Sequence, residues 1–329
     1  MILVCGEALV DLFVAAPEDG EMPARIVAGG SPFNLAIGLA RLGVPAGFLG
    51  GLSRDRFGAF LAQRLAEEGV DGRFLVRSDR PTTISAVVTA ADGQPRYSFH
   101  GEGAADRWLA PADLPAALPA EVEALAFGSY TMAVEPVGSA LAALAAREAG
   151  RRVISVDPNL RPMAVGDMTR WAEAAERFYR VATIVKASDE DVRIAWDGRL
   201  SPGEAAAYWL ERGASLVAIT EGARGATGFC RAGQVSVPGH AVAVADTVAA
   251  GDSFHAALLA RLSGTGRLNP AAIAALDRPA LADLLAHAAA AAAVTVTRRG
   301  ADLPREEDVR AALGAGPAAE PDGLPPAGS

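Results

Sequence analysis

The sequence predicts an α/β protein: a mainly parallel sheet flanked by helices, with a smaller β-sheet lid inserted into it. Three observations predict it. Short runs rich in aliphatic residues alternate with longer runs whose apolar residues recur three and four apart, the rhythm of βαβ units. The short runs are apolar at successive positions, as strands covered on both faces are. One segment, residues 82–100, breaks the rhythm and alternates like a hairpin.

The elements follow in chain order. ILVCGEALV (2–10) is read as the first buried strand, with Asp11 at its end, where open α/β sheets bind ligands. MILVCGEALVDLF lacks basic residues and carries Glu7 and Asp11, which argues for a strand over a signal peptide. SPFNLAIGLARLG (31–43) is helical, with Ser31 as N-cap, Pro32 at the first helical position and Gly43 at the exit. AGFLGGL, ALAFGS, RVISVD, VATIVK and SLVAIT are further strands; RFGAFLAQRLAEEG, GSALAALAAREAG and PGEAAAYWLERG are helices between them. TTISAVVTAADGQPRYSFH (82–100) reads as two strands around ADGQ, and an antiparallel ribbon of this kind projects as a flap. TGFCRAGQVSVPG (227–239) is a second hairpin. Domain organisation is read as one unit over 1–314, its lid strands inserted at about 11–30 and 71–100, with a Pro/Gly/Ala-rich tail at 315–329 expected to be disordered.

Composition excludes several function classes. The 329 residues are 51% hydrophobic and 21% charged, enough for a substantial core. A net charge of -9, with no basic run to reverse it locally, disfavours nucleic acid and anionic membranes as partners. The apolar run HAAAAAAVTV (287–296) is too short to cross a bilayer. Cys5 and Cys230 have no CxxC partner and the four histidines no metal-binding spacing, which suits a reducing cytoplasm. Lys186 is the single lysine, so there is no GxxxxGK[ST] phosphate loop.

Two glycine-rich stretches carry the candidate chemistry. In DTVAAGDSFHAALLARL (246–262), Ala249, Ala250 and Gly251 form a turn of small residues that enters a helix anchored by Phe254, Leu258 and Leu262. Free N–H groups at such a start can wrap an anion closely. Asp252 then sits beside that anion, which is repulsive unless it accepts a proton from an attacking hydroxyl; the alternative is that it only complements the helix dipole. In AGGSPFN (28–34), capping grammar accounts for Ser31 and Pro32 but not for Gly29, Gly30 or the poor helix former Asn34, whose amide can face a polar ligand.

GGSPFN followed by AIGLARLG, together with DTVAAGDSF, resembles the two signatures of the PfkB, or ribokinase-like, carbohydrate kinases, over Gly6 to about Pro304. The resemblance implies a Rossmann-like domain with a β-lid closing over a sugar, and transfer of the γ-phosphate of ATP to a hydroxyl. Asp252 corresponds to the base, and the N–H groups of Ala249, Ala250 and Gly251 to the anion hole. Asp11, Gly29, Gly30, Asn34, Phe99 and Arg161 fall at sugar-side positions; Lys186, Ser188, Thr220, Gly222 and Gly225 at ATP-side ones. Asp246 and the Val248 carbonyl match a monovalent-cation position, that of K⁺, and Mg²⁺ arrives with ATP, with Asp191 reaching it through water. The lid of this family also admits a homodimer.

Within the family, YSFHGEGAADRWL, DPNLRPMAV and GDSFHAALLARL resemble bacterial fructokinases most, which implies fructose as acceptor. DPNLRP is shared with 2-keto-3-deoxygluconate kinases, where Arg161 would meet a carboxylate; a plain surface ion pair is its other reading. Five positions depart from the pattern: Ala249 replaces a glycine, Ser188 and Asp191 replace the Asn and Glu of NxxE, Ala289 replaces an asparagine, and His100 a tyrosine. These departures keep open a binding protein without turnover. A nicotinamide-dependent oxidoreductase is disfavoured because GEALVDLF, not GxGxxG, follows the first strand.

Overall fold

The computed structural model describes residues 1–89 and 95–314. The ADGQ turn at 91–94 and the tail at 315–329 lie outside the described residues. The strands are β1 Ile2–Cys5, β2 Leu9–Val14, β3 Ala24–Gly29, β4 Ala46–Ser53, β5 Leu75–Ser78, β6 Ile84–Thr89, β7 Pro95–His100, β8 Ala124–Gly128, β9 Val153–Asp157, β10 Ile184–Ser188, β11 Leu216–Thr220, β12 Ala226–Cys230 and β13 Gly233–Val237.

They build two sheets. The larger runs β13-β12-β11-β10-β9-β8-β1-β4-β5, parallel from β11 to β5 and closed at the other edge by the antiparallel pair β12 and β13. Period two divides its core. Ile2 and Val4 join one apolar layer with the helices Ser31–Arg41, Ala250–Gly264 and Arg278–Val296, while Leu3 and Cys5 join the other with Val137–Glu148, Met168–Tyr179 and Pro202–Glu211. The uninterrupted apolar strands follow from this two-sided cover.

The second sheet, β3-β2-β6-β7, is the lid. Three boundaries differ from the sequence reading. ILVCGEALV is two strands, because Gly6 lies against Pro32 and Thr131 with no room for a side chain and the chain leaves the main sheet there. Asp11 therefore stands in the middle of the lid strand β2, not at the edge of the main sheet. Residues 75–78 extend the main sheet through β4, so the lid comprises 9–29 and 84–100 and not 71–83. The second hairpin is β12 and β13, which continue the main sheet.

The helix holding HAAAAAAVTV begins at Arg278 and reaches 19 residues, long and apolar enough by length and composition to cross a membrane. It instead packs against Ala250–Gly264, β12 and β13, and most of its apolar positions are buried in the core.

Strand order reverses between β1 and β8, where open sheets form a ligand crevice. There Glu7, 1% exposed, accepts a hydrogen bond from Thr131 Oγ at 3.0 Å. Burial lifts its pKa from 4.5 to about 7, against hydrogen bonds from Ser129 and Thr131 that pull it down, and the nearby Asp106 charge adds to the rise. Folded protein thus binds a proton here that unfolded chain has released, so this residue's contribution to stability falls as pH rises from about 4.5 to about 7. We predict that Glu7→Gln removes that fall, gaining on the order of 1–3 kcal/mol over wild type at pH 8 relative to pH 4.5. Urea unfolding of both proteins across that range measures it; parallel curves would refute the assignment.

Candidate active site

The helix Ala250–Gly264 opens on Ala249, which has φ 62° and ψ 10°, the left-handed conformation. That bend exposes the first amides of the helix. The Ala250 N–H turns to the Thr247 carbonyl at 3.3 Å, and those of Ala249 and Gly251 have no backbone acceptor among the described residues. A side chain at 251 would stand 2.9 Å from Lys186 Nζ, so glycine there lets an ammonium lie directly beneath the turn. Oriented amides above a buried cation make a pre-built anion site.

Asp252 lies in the first turn of that helix and is buried. Its Oδ1 accepts from Ser31 Oγ at 2.6 Å and its Oδ2 from Asn34 Nδ2 at 2.8 Å. Burial raises its pKa; Ser31, Asn34 and the Lys186 charge oppose that rise, while Asp157 adds to it. Lys186 is itself buried, with Nζ 2.8 Å from Asp157 Oδ2. Burial alone would lower its pKa, but Asp157, Asp191 and Asp252 outweigh that and hold it above its ordinary value. Lys186, in the middle of β10, is therefore no solvated cation. Its ammonium reaches the anion site from below, shielded from solvent.

The second glycine-rich stretch meets Asp252 directly. Gly30, not Ser31, is the N-cap of the helix Ser31–Arg41, and the cap makes no side-chain hydrogen bond. Ser31 occupies the first helical position, and its hydroxyl is free to bond Asp252. Gly30 has φ 109°, and a side chain there would stand 2.9 Å from the Glu7 carbonyl oxygen, while one at Gly29 would collide with Asp11 Oδ2. Both glycines thus let the lid strands and this helix converge. Burial raises the pKa of Asp11, opposed by a hydrogen bond from Ser85 on β6. Phe99 on β7 meets the Tyr130 ring edge-on at 6.4 Å, and Tyr130 Oη donates to Asp106 Oδ2 at 2.6 Å. Leu9, Ala164 and Val165 pack with these rings. Arg161 is exposed, its Nη1 donating to the Leu160 carbonyl, and it starts the short helix Pro162–Val165 beside β7.

The residues expected on the ATP side, apart from Lys186, cluster at the ends of β10 and β11. Ser188 and Asp191 form a capping box: Ser188 Oγ accepts from Asp191 N, and Asp191 Oδ2 accepts from Ser188 N and Oγ. Asp191 Oδ1 accepts from Leu160 N at 2.7 Å, so both its oxygens are committed to protein donors. Thr220 ends β11, and Gly222 and Gly225 bracket the turn to β12. Asp246 Oδ1 accepts from Val248 N and its Oδ2 from Gly300 N, which fixes the loop before the anion site. Among the described residues no group of three or more His, Cys, Asp or Glu could hold a metal ion.

Three participants escape sequence reasoning. Ser before Pro is a cap signature, which hides the bond from Ser31 to Asp252. Asp157, although it heads DPNLRP, and Glu7 do not reveal their partners, since a carboxylate after a strand looks solvated until its neighbours are placed.

The arrangement resembles known proteins closely. The model of the pfkB family carbohydrate kinases matches residues 1–308. A fructokinase of Rhizobium leguminosarum bv. trifolii is 43% identical over 282 residues, 85% of each chain. A Xylella fastidiosa fructokinase solved with bound ATP superimposes with a TM-score of 0.87 at 28% identity, covering 95% of this chain and 98% of that one. A Vibrio cholerae fructokinase double mutant, solved with fructose, ADP and a potassium ion, does so at 0.81 and 29%, covering 95% and 97%.

The left-handed Ala249 makes its own prediction. A Cβ in that conformation costs about 1 kcal/mol relative to glycine. Ala249→Gly should therefore stabilise the protein by about 1 kcal/mol while leaving the turn in place. Thermal melting reads the gain; an unchanged or lower midpoint would contradict the strain.

Proposed function

Since the chain belongs to the pfkB family of carbohydrate kinases, we propose that it transfers the γ-phosphate of ATP to fructose, giving fructose 6-phosphate. The single observation that carries the reading is Asp252: a buried carboxylate, fixed by two side-chain donors, in the first turn of a helix whose opening amides stand over a buried cation. The identity to fructokinases over most of the chain supports the choice of sugar.

In this reading the sugar lies under the lid, its hydroxyls held by Asp11, Asn34 and the backbone at Gly29 and Gly30, its apolar face on Phe99. Asp252 accepts the proton of the attacking hydroxyl while that oxygen bonds to the γ-phosphorus and the bond to the ADP oxygen breaks. The amides of Ala249, Ala250 and Gly251 take the charge that develops on the phosphoryl oxygens, with Lys186 below them. Thr220, Gly222, Gly225 and the Ser188 end of β10 line the nucleotide side.

Mg²⁺ would neutralise the phosphates of ATP. With both oxygens bonded to protein, Asp191 does not suit direct coordination, and contact through water fits its geometry. Asp246 and the Val248 carbonyl offer the hard oxygen donors that K⁺ takes. The exposed apolar residues of the lid, Ile26 and Val88, suit pairing of two lids in a homodimer.

A second reading rests on Arg161, whose exposed guanidinium has, among the described residues, only the neighbouring Leu160 carbonyl as acceptor and would suit the carboxylate of 2-keto-3-deoxygluconate. ADP release measured with fructose, ribose and 2-keto-3-deoxygluconate separates the two. We expect fructose to give the highest kcat/KM; preference for the acid, lost in Arg161→Ala, would overturn the choice. Asp252→Asn should keep sugar affinity and lower kcat by roughly two to four orders of magnitude. Unchanged turnover would return Asp252 to a dipole partner.

A further inference from the structure

Behind the base lies a small cavity with room for about one water, ≈ 10 Å³ open to the water's centre, lined by Ser31, Gly128, Asp157 and His255 over an apolar floor. Asp157 is buried, its Oδ2 is bonded to Lys186, and its Oδ1 is fully buried with no hydrogen-bond partner among the described residues. An unpaired carboxylate oxygen is costly in such a place, so the lining demands a donor. His255 can supply only part of it. Its Nε2 lies 2.7 Å from Ser155 Oγ, and its Nδ1 lies 3.8 Å from Asp157 Oδ2, too far for a direct bond. Burial, with the Lys186 charge second, lowers its pKa to about 3, so the ring is neutral and carries one proton. If the Ser155 hydroxyl donates to Nε2, that proton sits on Nδ1.

We propose that one resident water fills this cavity and joins Asp157 to Ser31, making Ser31 a positioning residue for the base Asp252. The water donates one hydrogen to Asp157 Oδ1 and the other to Ser31 Oγ, and accepts from His255 Nδ1–H. The Ser31 hydroxyl then has its lone pair occupied from behind, and its single hydrogen stays on Asp252 Oδ1, at 2.6 Å. Ser31 is free for this because it caps nothing. A continuous chain runs from Lys186 through Asp157, the water and Ser31 to Asp252, and it fixes which oxygen of the base points at the incoming hydroxyl. Charged and polar groups facing Asp252 are Ser31 and Asn34 from one helix, Lys186 from β10 and Asp157 from β9. The inference rests on Asp252 being the base.

Two measurements test it. A high-resolution crystal structure of the full chain should show a single ordered water within hydrogen-bond distance of Asp157 Oδ1 and Ser31 Oγ; an empty cavity overturns the proposal. This arm does not depend on the reaction. In kinetics, Ser31→Ala should lower kcat roughly tenfold with sugar KM within about twofold, and Ser31→Thr should restore most of it. The Ser31 bond pulls the pKa of Asp252 down, so its loss should move the acid limb of kcat/KM to higher pH. A Ser31→Ala enzyme with wild-type kcat and pH profile overturns the positioning role, whereas turnover retained by Asp252→Asn would instead sink the reading of the base.

Discussion

The structure turns on one buried ammonium. Lys186 sits at the centre of three buried carboxylates, Asp157, Asp191 and Asp252, and bonds the first of them directly. Taken out of water, three negative charges would each favour protonation, and a protonated Asp252 could take up no further proton. The cation opposes that. Its cost of burial is offset by the charges around it, and in turn it holds Asp252 toward its ionised form. Gly251 serves the same end from above, because a methyl group at that position would crowd the ammonium out of its place under the amides.

The lid depends on equally specific anchors. Asp55 accepts from both Thr82 N and Thr82 Oγ, and Asp106 accepts from Thr83 Oγ at 2.6 Å and from Tyr130 Oη at 2.6 Å. Two adjacent threonines at the entry of β6 are thus tied to two different elements of the main body. Val10 N closes the same point by bonding the Thr83 carbonyl at 3.1 Å. Its four strands are joined by continuous pairing, so a lid pinned at this base is held as one sheet. Through Tyr130, the anchor also touches Phe99 of β7, so the base of the lid and its outer strand share one aromatic contact.

Much of this is legible in the sequence, for reasons that differ between its parts. Strands buried on both faces announce themselves by unbroken aliphatic runs, so β4, β8, β9, β10 and β11 can be placed. Hairpin alternation separates β6 and β7 from the parallel sheet. The split of ILVCGEALV between two sheets cannot be read, because β1 and β2 are both apolar and only the packing of Gly6 on Pro32 and Thr131 divides them. Glycines mark the site better than charges do. Gly29, Gly30 and Gly251 each allow a close approach that a side chain would block, so a glycine at such a position speaks for one thing. A charged residue can serve many ends: neither Lys186, the single lysine, nor Asp157, at the head of DPNLRP, says in the sequence which partner it meets. Partnership across 29 residues of chain, as between Lys186 and Asp157, is a property of the sheet order and leaves no local trace.

The same distinction explains why Ala249 does not disqualify the site. An anion hole needs amides aimed at one point, and the aim is set by backbone angles, not by side-chain identity. Ala249 reaches the left-handed bend with φ 62° because the helix behind it is held on every side: Phe254, Leu258 and Leu262 are buried in one core with Leu284 and Leu285 of the neighbouring helix. Packing energy over several turns of helix exceeds the roughly 1–2 kcal/mol that a Cβ costs in that conformation. The strain is therefore carried without loss of geometry, and a residue that looks like a broken motif in the sequence is a tolerated cost in the fold.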